Sequence, residues 1–459
     1  METNARAASR RDRYLANPSR ALWTLAIPVM AGMSIQIMYS IADLIFIGRI
    51  SAQALSAVAF NIPLFFLVLS LTMGLGSGVT AVIARYVGAA DKANADNSAL
   101  HGLLIGVVVS AFLAGIGLGY GRGLLRLIGT PEEILELAWS YLQILSLGIP
   151  FLVLSSSFGS ILAGEGDTRF PMMVSGLGTL TNIGLDPVCI FVLDLGLRGA
   201  AVATALSQAM VFVIFVYLLL GKKRSYISFQ WHNFHFAWSL LKEIITIGLP
   251  ASGSMLIMSF GSAVFNRILS HYSAQAVAAY QIAGRMDMLI LLPIIAIASA
   301  LVTLVGMFWG AKEMAKLRFI IRYGTRWAVT ITLVGAVLIY SFAPTIVRFF
   351  TDDAEILRIA VGYLRIIAFA YPFIAIAITS GRSLQGLGKG TPMLIITSVR
   401  ILLVSAPLAS LMAFVFQKPI EWVWYSLLCS VLASVTIAVL WLRSALQEVL
   451  RTSTSPVAQ

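Results

Sequence analysis

Twelve long apolar runs constrain the fold of this chain more than any other feature of its sequence. Each is longer than the ~20 residues that an α-helix needs to cross the hydrocarbon core of a bilayer. A backbone in lipid must satisfy its hydrogen bonds internally, so we expect twelve transmembrane helices and an all-α integral membrane protein. The runs cover residues 21–47, 57–87, 97–121, 134–162, 170–192, 199–220, 241–269, 277–309, 323–346, 357–380, 392–416 and 420–442.

Charged residues are scarce and lie mostly between these runs. They make up 11% of the chain, whereas an average soluble domain contains about 25%. The formal net charge of +12 is explained by Lys and Arg beside membrane spans, where anionic lipids and the positive-inside bias favour them. We therefore expect contact with membrane lipids and no nucleic-acid partner. Cys189 and Cys429 both lie in apolar runs, so the sequence predicts no disulfide framework.

The Lys and Arg residues also predict an orientation. Residues 1–20 contain five arginines, and the second, sixth and eighth connections between runs are richer in Lys and Arg than the odd-numbered connections. The positive-inside rule places these segments in the cytoplasm. Because the number of spans is even, we expect both termini in the cytoplasm and a multi-pass protein of the plasma membrane.

The two halves of the chain repeat at a constant offset of 222 residues. Pro28 falls on Pro250, and Ser51-Ala-Gln-Ala54 falls on Ser273-Ala-Gln-Ala276. We predict two six-helix lobes, residues 1–225 and 241–459, joined by a cytoplasmic linker at 226–240. Six is an even number, so the pseudo-two-fold axis should run along the membrane normal, with a substrate cleft between the lobes.

The fifth run contains an acid at membrane depth. Asp186 follows Asn182 by four residues, so both lie on one helix face. A charge at this depth costs at least ~2.5 kcal/mol, so it should face a cavity or a partner. Pro187 has no N–H for the carbonyl of Ile183, which weakens the helix beside the acid. The alternative is a bent helix whose acid pairs with an arginine.

Two further helices carry polar stripes in the N-terminal half. Gln36, Tyr39 and Asp43 follow i, i+3, i+7 spacing in the first run, and Thr204 and Gln208 are four residues apart in the sixth. We expect these stripes to converge on the stripe of the fifth run. The alternative is a hydrogen-bonded network that only holds helices together.

A site with two carboxylates has a definite chemistry. Both cannot ionise at low cost in a low-dielectric site, so the pair is expected to take up a proton. Its oxygens, with amide and hydroxyl oxygens, are also suitable Na⁺ ligands. At the repeat offset, Asp43 falls on Phe265 and Asp186 on Leu408. The acids are therefore not part of the repeated scaffold.

Other polar positions are weaker candidates. Arg285 and Asp287 in the eighth run could pair with each other or a neighbour, and Arg400 lies in the eleventh run. His232 and His235 lie in the aromatic linker, and we expect structural rather than metal-binding roles for them.

The glycine motifs predict close helix packing rather than phosphate binding. Gly74-x-Gly-x-Gly78 and Gly115-x-Gly-x-Gly119 lie in or beside apolar runs, where small residues let helices approach. No Walker, zinc-protease or nucleophile-elbow motif is present in the sequence. We expect neither enzymatic activity nor a cofactor, so any pumping would be driven by an ion gradient.

Together these residues resemble the multidrug and toxic compound extrusion (MATE) transporters, more specifically the branch related to the DNA-damage-inducible protein F. The resemblance covers nearly the whole chain. It rests on the two-lobe layout and on four motifs: Tyr39-Ser-Ile-Ala-Asp43, Gly164-Glu-Gly-Asp-Thr168, Gln385-Gly-Leu-Gly388 and Asn182-x-x-x-Asp186-Pro187 with Thr204 beyond it. One departure is that residues 241–269 hold only one acid, Glu243, where other branches place acids for a C-lobe site.

The resemblance implies a function. The protein would export organic cations and other amphipathic drugs in exchange for H⁺ or Na⁺ by alternating access, and would be a monomer. Its cation site would be Asp43, Asn182, Asp186 and Thr204, which would also hold any Na⁺. Its substrate contacts would be Met33, Gln36, Tyr39 and Gln208.

Two other functions are alternatives to this one. A lipid-linked sugar or lipid flippase of the same superfamily would share the scaffold, although such proteins tend to have extra spans and a more basic cleft. An integral-membrane enzyme would need a catalytic group at membrane depth, and the four histidines are scattered.

Overall fold

Long helices dominate residues 10–222 and 225–454, the part of the chain that a computed structural model describes. The side chains of residues 41, 42, 44, 45, 233 and 452–454 lie outside the description. The N-terminal half forms α1 (Pro18–Gly48), α2 (Ala52–Gly88), α3 (Lys92–Leu127), α4 (Glu132–Gly164), α5 (Arg169–Pro187) and α6 (Gly196–Val216). The C-terminal half forms α7 (Trp238–Tyr272), α8 (Ala274–Gly310), α9 (Met314–Arg348), α10 (Ala354–Ala368), α11 (Tyr371–Gly386), α12 (Thr391–Ser398), α13 (Ala406–Ser410) and α14 (Glu421–Thr454).

Several spans contain wider π-helical turns. One extends α5 through Val188–Val192, another extends α6 through Tyr217–Gly221, and Val399–Ser405 and Leu411–Val415 flank α13. A 3₁₀ turn at Trp231–Asn233 lies in the linker.

Eleven spans are long and apolar enough to cross a membrane, and α10 with α11 forms a further, bent span among the described residues. The predicted all-α membrane fold with twelve spans is therefore confirmed. The tenth run, 357–380, is not one straight helix: its two parts meet at an angle of 55°. Pro372 in the first turn of α11 has no N–H for the carbonyl of Ala368, which explains the break.

The repeat is visible in the backbone. Ser51 caps α2 by accepting a hydrogen bond from the N–H of Ala54, and Ser273 caps α8 in the same way from Ala276, both at 3.0 Å. Positive φ angles recur as well, at Gly166 (84°) and Gly388 (78°). Glycine tolerates this left-handed conformation without a Cβ clash.

The chain forms two compact units. The first contains Ile27–Gly248 and the segment that ends at Arg13, and the second contains Tyr14–Ala26 and everything from Leu249 onward. The first turns of α1 thus belong to the second unit, and those of α7 belong to the first. The lobe boundaries inferred from the sequence, at residues 225 and 241, stay a prediction.

The first glycine motif packs helices closely, as predicted. A Cβ on Gly78 would lie 2.4 Å from the carbonyl oxygen of Ile244 at the start of α7, and one on Gly76 would lie 2.5 Å from Oγ of Ser160. The prediction is wrong for two glycines of the second motif. A Cβ on Gly115 or Gly119 would meet no atom within 4 Å, because these residues face outward.

The linker is bound to the first unit by a buried acid. Glu165 is 1% exposed and accepts hydrogen bonds from the hydroxyl of Ser225 and the N–H groups of Tyr226 and Ile227. Burial raises the pKa of the Glu165 carboxyl, while these three donors and the charge of Arg10 act to lower it.

More contacts hold the linker further along. Lys92 donates to the carbonyl of Tyr226 at 2.7 Å, and Asn97 donates to the carbonyl of His235 at 3.0 Å. The N–H of Ala237 donates to Nε2 of His101, also at 3.0 Å. The linker therefore lies on the first unit along most of its described length.

Candidate cation and substrate site

The fifth span places Asn182 and Asp186 in the interior of the N-terminal unit. Their exposed fractions are 3% and 0%, and Nδ2 of Asn182 lies 3.5 Å from Oδ1 of Asp186. Regular α-helix ends at Pro187, directly after the acid, and a π-helical turn follows. The missing N–H of the proline accounts for this change of helix type at this position.

Two oxygen atoms of this pair have no protein partner among the described residues. They are Oδ1 of Asn182 and Oδ2 of Asp186, and both are buried. A buried acceptor without a donor is costly, and such atoms are uncommon in folded proteins. No ion pair in the described part of the chain involves Asp186. The alternative of an acid paired with an arginine is therefore not what the structure shows.

The first span brings a second acid to this position. Asp43 is half-buried and lies close enough to Asp186 for their charges to interact. Tyr39, one turn earlier, lies near Thr204 of α6 and within electrostatic range of both carboxylates. The stripes of α1, α5 and α6 thus meet in one cluster, which we call the acid cluster: Tyr39, Asp43, Asn182, Asp186 and Thr204.

The other residues expected to contact substrate lie in different surroundings. Met33 is half-buried and Gln36 is exposed on α1. Gln208 lines an apolar cavity whose wall also includes Thr204. Their predicted role in substrate binding stays a prediction.

Sequence reasoning missed Tyr141 of α4 as a member of the site. Its side chain is 7% exposed and its hydroxyl lies within electrostatic range of Tyr39, Asp43 and Asp186. A tyrosine inside an apolar run was the available signal, since a buried hydroxyl needs a polar neighbour.

The acid cluster offers oxygen ligands from two carboxylates, one amide and hydroxyl groups. These are the ligands of a hard cation, and two nearby carboxylates can equally share a proton. No group of three or more His, Cys, Asp or Glu suited to a metal occurs in the described residues. The donor atoms of the acid cluster therefore suit H⁺ or Na⁺.

Asp287, Arg285 and Arg400, the weaker candidates, lie in different surroundings. Asp287 does not pair with Arg285: its carboxylate accepts hydrogen bonds from Tyr363 at 2.6 Å and Tyr371 at 2.5 Å. Arg285 is exposed, and Arg400 is half-buried.

Comparison with known proteins bears on the whole chain. The sequence profile of the MatE family matches residues 28–188 and 250–411. These two matches begin at the prolines of α1 and α7 and follow the internal repeat. Together they cover more than half of the chain.

Two relatives match over nearly the full length. The "Probable multidrug resistance protein NorM" of Thermotoga maritima is 29% identical over 94% of this chain and 93% of its own length. The "FAD transporter" of Shewanella oneidensis is 27% identical over 88% of this chain and 91% of its own length.

The fold is also found in solved structures. A transporter from Pyrococcus furiosus, described as a member of the MOP superfamily whose binding pocket has reverse polarity, superposes with a TM-score of 0.89. It is 30% identical, and the match covers 94% of this chain and 96% of that one.

Proposed function

Because the chain belongs to the MatE family, whose members are transporters and not enzymes, we propose that it is a secondary active antiporter. It exports organic cations and other amphipathic drugs in exchange for H⁺ or Na⁺. Names of relatives such as the Thermotoga protein support a drug substrate. The pair of acids in the N-terminal unit supports ion coupling.

The observation that carries this proposal is the unpaired carboxylate oxygen of Asp186. It is buried, has no protein donor among the described residues, and lies near a second acid, Asp43. A structural acid would be expected to have its lone pairs satisfied. An acid that exchanges a cation needs a free oxygen instead.

The pair of acids also accounts for the proposed exchange of an ion for a drug. When both acids are ionised they repel each other in a low-dielectric site, and uptake of one H⁺ or Na⁺ relieves the repulsion. A cationic drug relieves it as well, so ion and drug compete for one negative charge. Thermodynamic coupling is reciprocal, so an ion that displaces the drug is displaced by it to the same degree.

The first helix supplies a place where this change can be transmitted. Pro28 lies inside α1, fifteen residues before Asp43, and α1 passes from the second unit to the first between Ala26 and Ile27. A proline removes one backbone hydrogen bond and weakens the helix locally. Neutralisation of Asp43 would then alter the bend of α1.

Location and substrate complete the proposal. The protein is a multi-pass membrane protein, and we place it in the plasma membrane with both termini in the cytoplasm, as a monomer. A lipid or lipid-linked sugar flippase is the alternative that the same scaffold allows.

The test is transport by purified protein in proteoliposomes. Vesicles loaded with a fluorescent organic cation receive a pH gradient or a Na⁺ gradient in separate experiments. We expect uphill movement of the cation with at least one gradient, and its loss in Asp43→Asn. Asp12→Asn, which changes an exposed acid outside the spans, is the matched control. Unimpaired transport by Asp43→Asn, or movement of lipid but not of the cation, would contradict the proposal.

A further inference from the structure

Three arginines form an exposed stripe near the start of α9, which we call the arginine stripe. Arg318, Arg322 and Arg326 are four residues apart, so they lie on one face of the helix, and all three are exposed. None of them forms an ion pair within residues 10–222 and 225–454. Like charges on successive helical turns repel each other, so the stripe is unfavourable unless an anion lies beside it.

The arginine stripe lies at the edge of the hydrocarbon core. Residues 327–347 of α9 carry no charge, and at 1.5 Å per residue this segment is about 31 Å long. The hydrocarbon core of a bilayer is ~30 Å thick. Arg326 and Arg348 bound the uncharged segment. The stripe therefore begins where the hydrocarbon meets the headgroups, and it extends about 12 Å outward through the headgroup layer.

An aromatic cluster adjoins the stripe, formed by Trp23 of α1 with Phe319, Tyr323 and Trp327 of α9. Phe319 stacks on Tyr323 with 5.6 Å between ring centroids, and Tyr323 meets Trp327 at 6.3 Å. The indole N–H of Trp23 donates to the hydroxyl of Tyr323 at 3.4 Å, and its ring centroid lies 5.6 Å from that of Trp327. Tryptophan and tyrosine are enriched at the level of lipid headgroups. The cluster and the stripe thus indicate the same depth.

The start of α1 adds a fourth arginine to this end of the second unit. Arg20 is exposed and lies one turn before Trp23, in the part of α1 that belongs to the second unit. It forms no ion pair with any residue that the structure describes. Basic and aromatic side chains from two helices are therefore exposed together.

The repeated scaffold does not require these arginines. The matching positions of α3, at the repeat offset, hold one acid and two leucines: Asp96, Leu100 and Leu104. Asp96 accepts a hydrogen bond from the N–H of Ser228 in the linker at 2.9 Å, and Leu100 is buried. The positive-inside bias is satisfied by charges anywhere in a connection and does not require a stripe on one helix face. A separate role for the stripe is the remaining explanation.

The chemistry of the stripe suits a phosphate group held at the membrane surface. Guanidinium groups bind phosphate oxygens through paired N–H donors, for which arginine is better suited than lysine. Each basic residue near the surface strengthens binding to anionic lipids about fivefold. Phe319 and Trp327 are 46% and 40% exposed and offer apolar surface to the acyl chains of the same lipid. A soluble anion would use the arginines but not the rings.

We propose that the arginine stripe and the aromatic cluster bind an anionic phospholipid. The lipid phosphate accepts hydrogen bonds from the arginines, and the upper part of the acyl chains lies on Phe319 and Trp327. Because Trp23 bonds to Tyr323, the bound lipid also contacts the start of α1. The inference concerns lipid binding and does not rest on the proposed antiport.

The test uses the full chain in phosphatidylcholine nanodiscs that contain a small fraction of phosphatidylglycerol with a diazirine on its acyl chain. After photolysis, labelled peptides are mapped by mass spectrometry. We expect saturable labelling at the starts of α1 and α9 that unlabelled phosphatidylglycerol prevents and soluble glycerol phosphate does not. A phosphatidylcholine probe with the same chain should label these peptides about tenfold less. Equal labelling by the two probes, or competition by glycerol phosphate, would overturn the proposal.

Variants test the arginines themselves. Arg318→Gln/Arg322→Gln/Arg326→Gln should be labelled about tenfold less than wild type. The matched control removes three exposed arginines that are ion-paired with glutamates and should be labelled like wild type: Arg122→Gln/Arg126→Gln/Arg358→Gln. Wild-type labelling of the stripe variant, or an equal loss in both variants, would contradict the proposal. If the stripe variant does not fold, Arg322→Gln, expected to bind about fivefold more weakly, and the two probes on wild type still decide.

Discussion

At Asp186, what favours stability and what favours the proposed function are opposed. Its carboxylate is fully buried, with one oxygen hydrogen-bonded to Asn182 and the other without a donor among the described residues. Such groups are destabilising and are retained where function needs them.

We therefore expect Asp186→Asn to unfold at a higher temperature than wild type, by ~0.5–2 kcal/mol in free energy of unfolding. The gain should increase as pH rises, because the wild-type carboxylate ionises and the amide does not. Thermal unfolding in detergent at several pH values measures this. Asp167→Asn removes an acid that is ion-paired with Arg10 at 2.9 Å, and it should not be stabilising. A lower unfolding temperature for Asp186→Asn at every pH would show that the acid is structural.

For single residues, the sequence predicted the members of the acid cluster better than the residues of other helices that surround the acids. Helical spacing was enough to place Asn182 beside Asp186 and to predict the weak point at Pro187, because both depend on local geometry. Tyr141 and the tyrosine partners of Asp287 are contacts between helices distant in sequence. Spacing along one helix contains no information about such contacts.

The π-helical turn after α5 is held by a close approach at Gly199 in α6. A Cβ there would lie 2.4 Å from the carbonyl oxygen of Cys189, which is backbone and cannot rotate away. Gly184, in α5, has nothing within 4 Å of its hypothetical Cβ.

We expect Gly199→Ala to lower the free energy of unfolding by ~1–3 kcal/mol. Gly184→Ala should be neutral or stabilising by up to ~1 kcal/mol, since alanine is the better helix former. Thermal unfolding of both variants tests the pair. Equal stabilities for the two variants would mean that the turn adapts and that the close approach is unimportant.

The linker gives a second prediction for a single element. Glu165→Ala removes the acceptor of Ser225, Tyr226 and Ile227, so it should lower the free energy of unfolding by ~1–3 kcal/mol. The pKa of the Glu165 carboxyl is raised in the folded state. The free energy of unfolding should therefore fall as the pH rises from the ordinary pKa of a glutamate to the raised pKa of Glu165.

Glu165→Gln should remove that part of the pH dependence while keeping an acceptor in place. Unfolding temperature as a function of pH, with proteolysis of the linker as a second readout, measures both variants. An unchanged pH profile in Glu165→Gln would assign the dependence to another group.

For the whole molecule, the sequence predicted the number of spans and the repeat, because hydrophobic length and a constant offset are properties of the chain itself. It did not predict that α10 and α11 are separate helices, since Pro150 occupies the matching position in an unbroken α4.

Topology is tested with two single cysteines in a background without Cys189 and Cys429. His232→Cys lies in the linker and Glu133→Cys at the start of α4, and both positions are exposed. The Lys and Arg distribution predicts that a membrane-impermeant thiol reagent labels only Glu133→Cys in intact cells. Labelling of His232→Cys from outside would reverse the proposed orientation.

The central claim is that Asp43 and Asp186 act as one coupled pair that binds either the ion or the drug. The most direct measurement is the affinity of purified protein for a cationic drug, from about pH 5 to pH 9 and with or without Na⁺. Wild type is compared with Asp43→Asn, Asp186→Asn and the double variant. The account predicts that either single change removes most of the dependence on cation concentration, and that the double change adds little. Additive losses, or cation dependence that survives in the double variant, would contradict it.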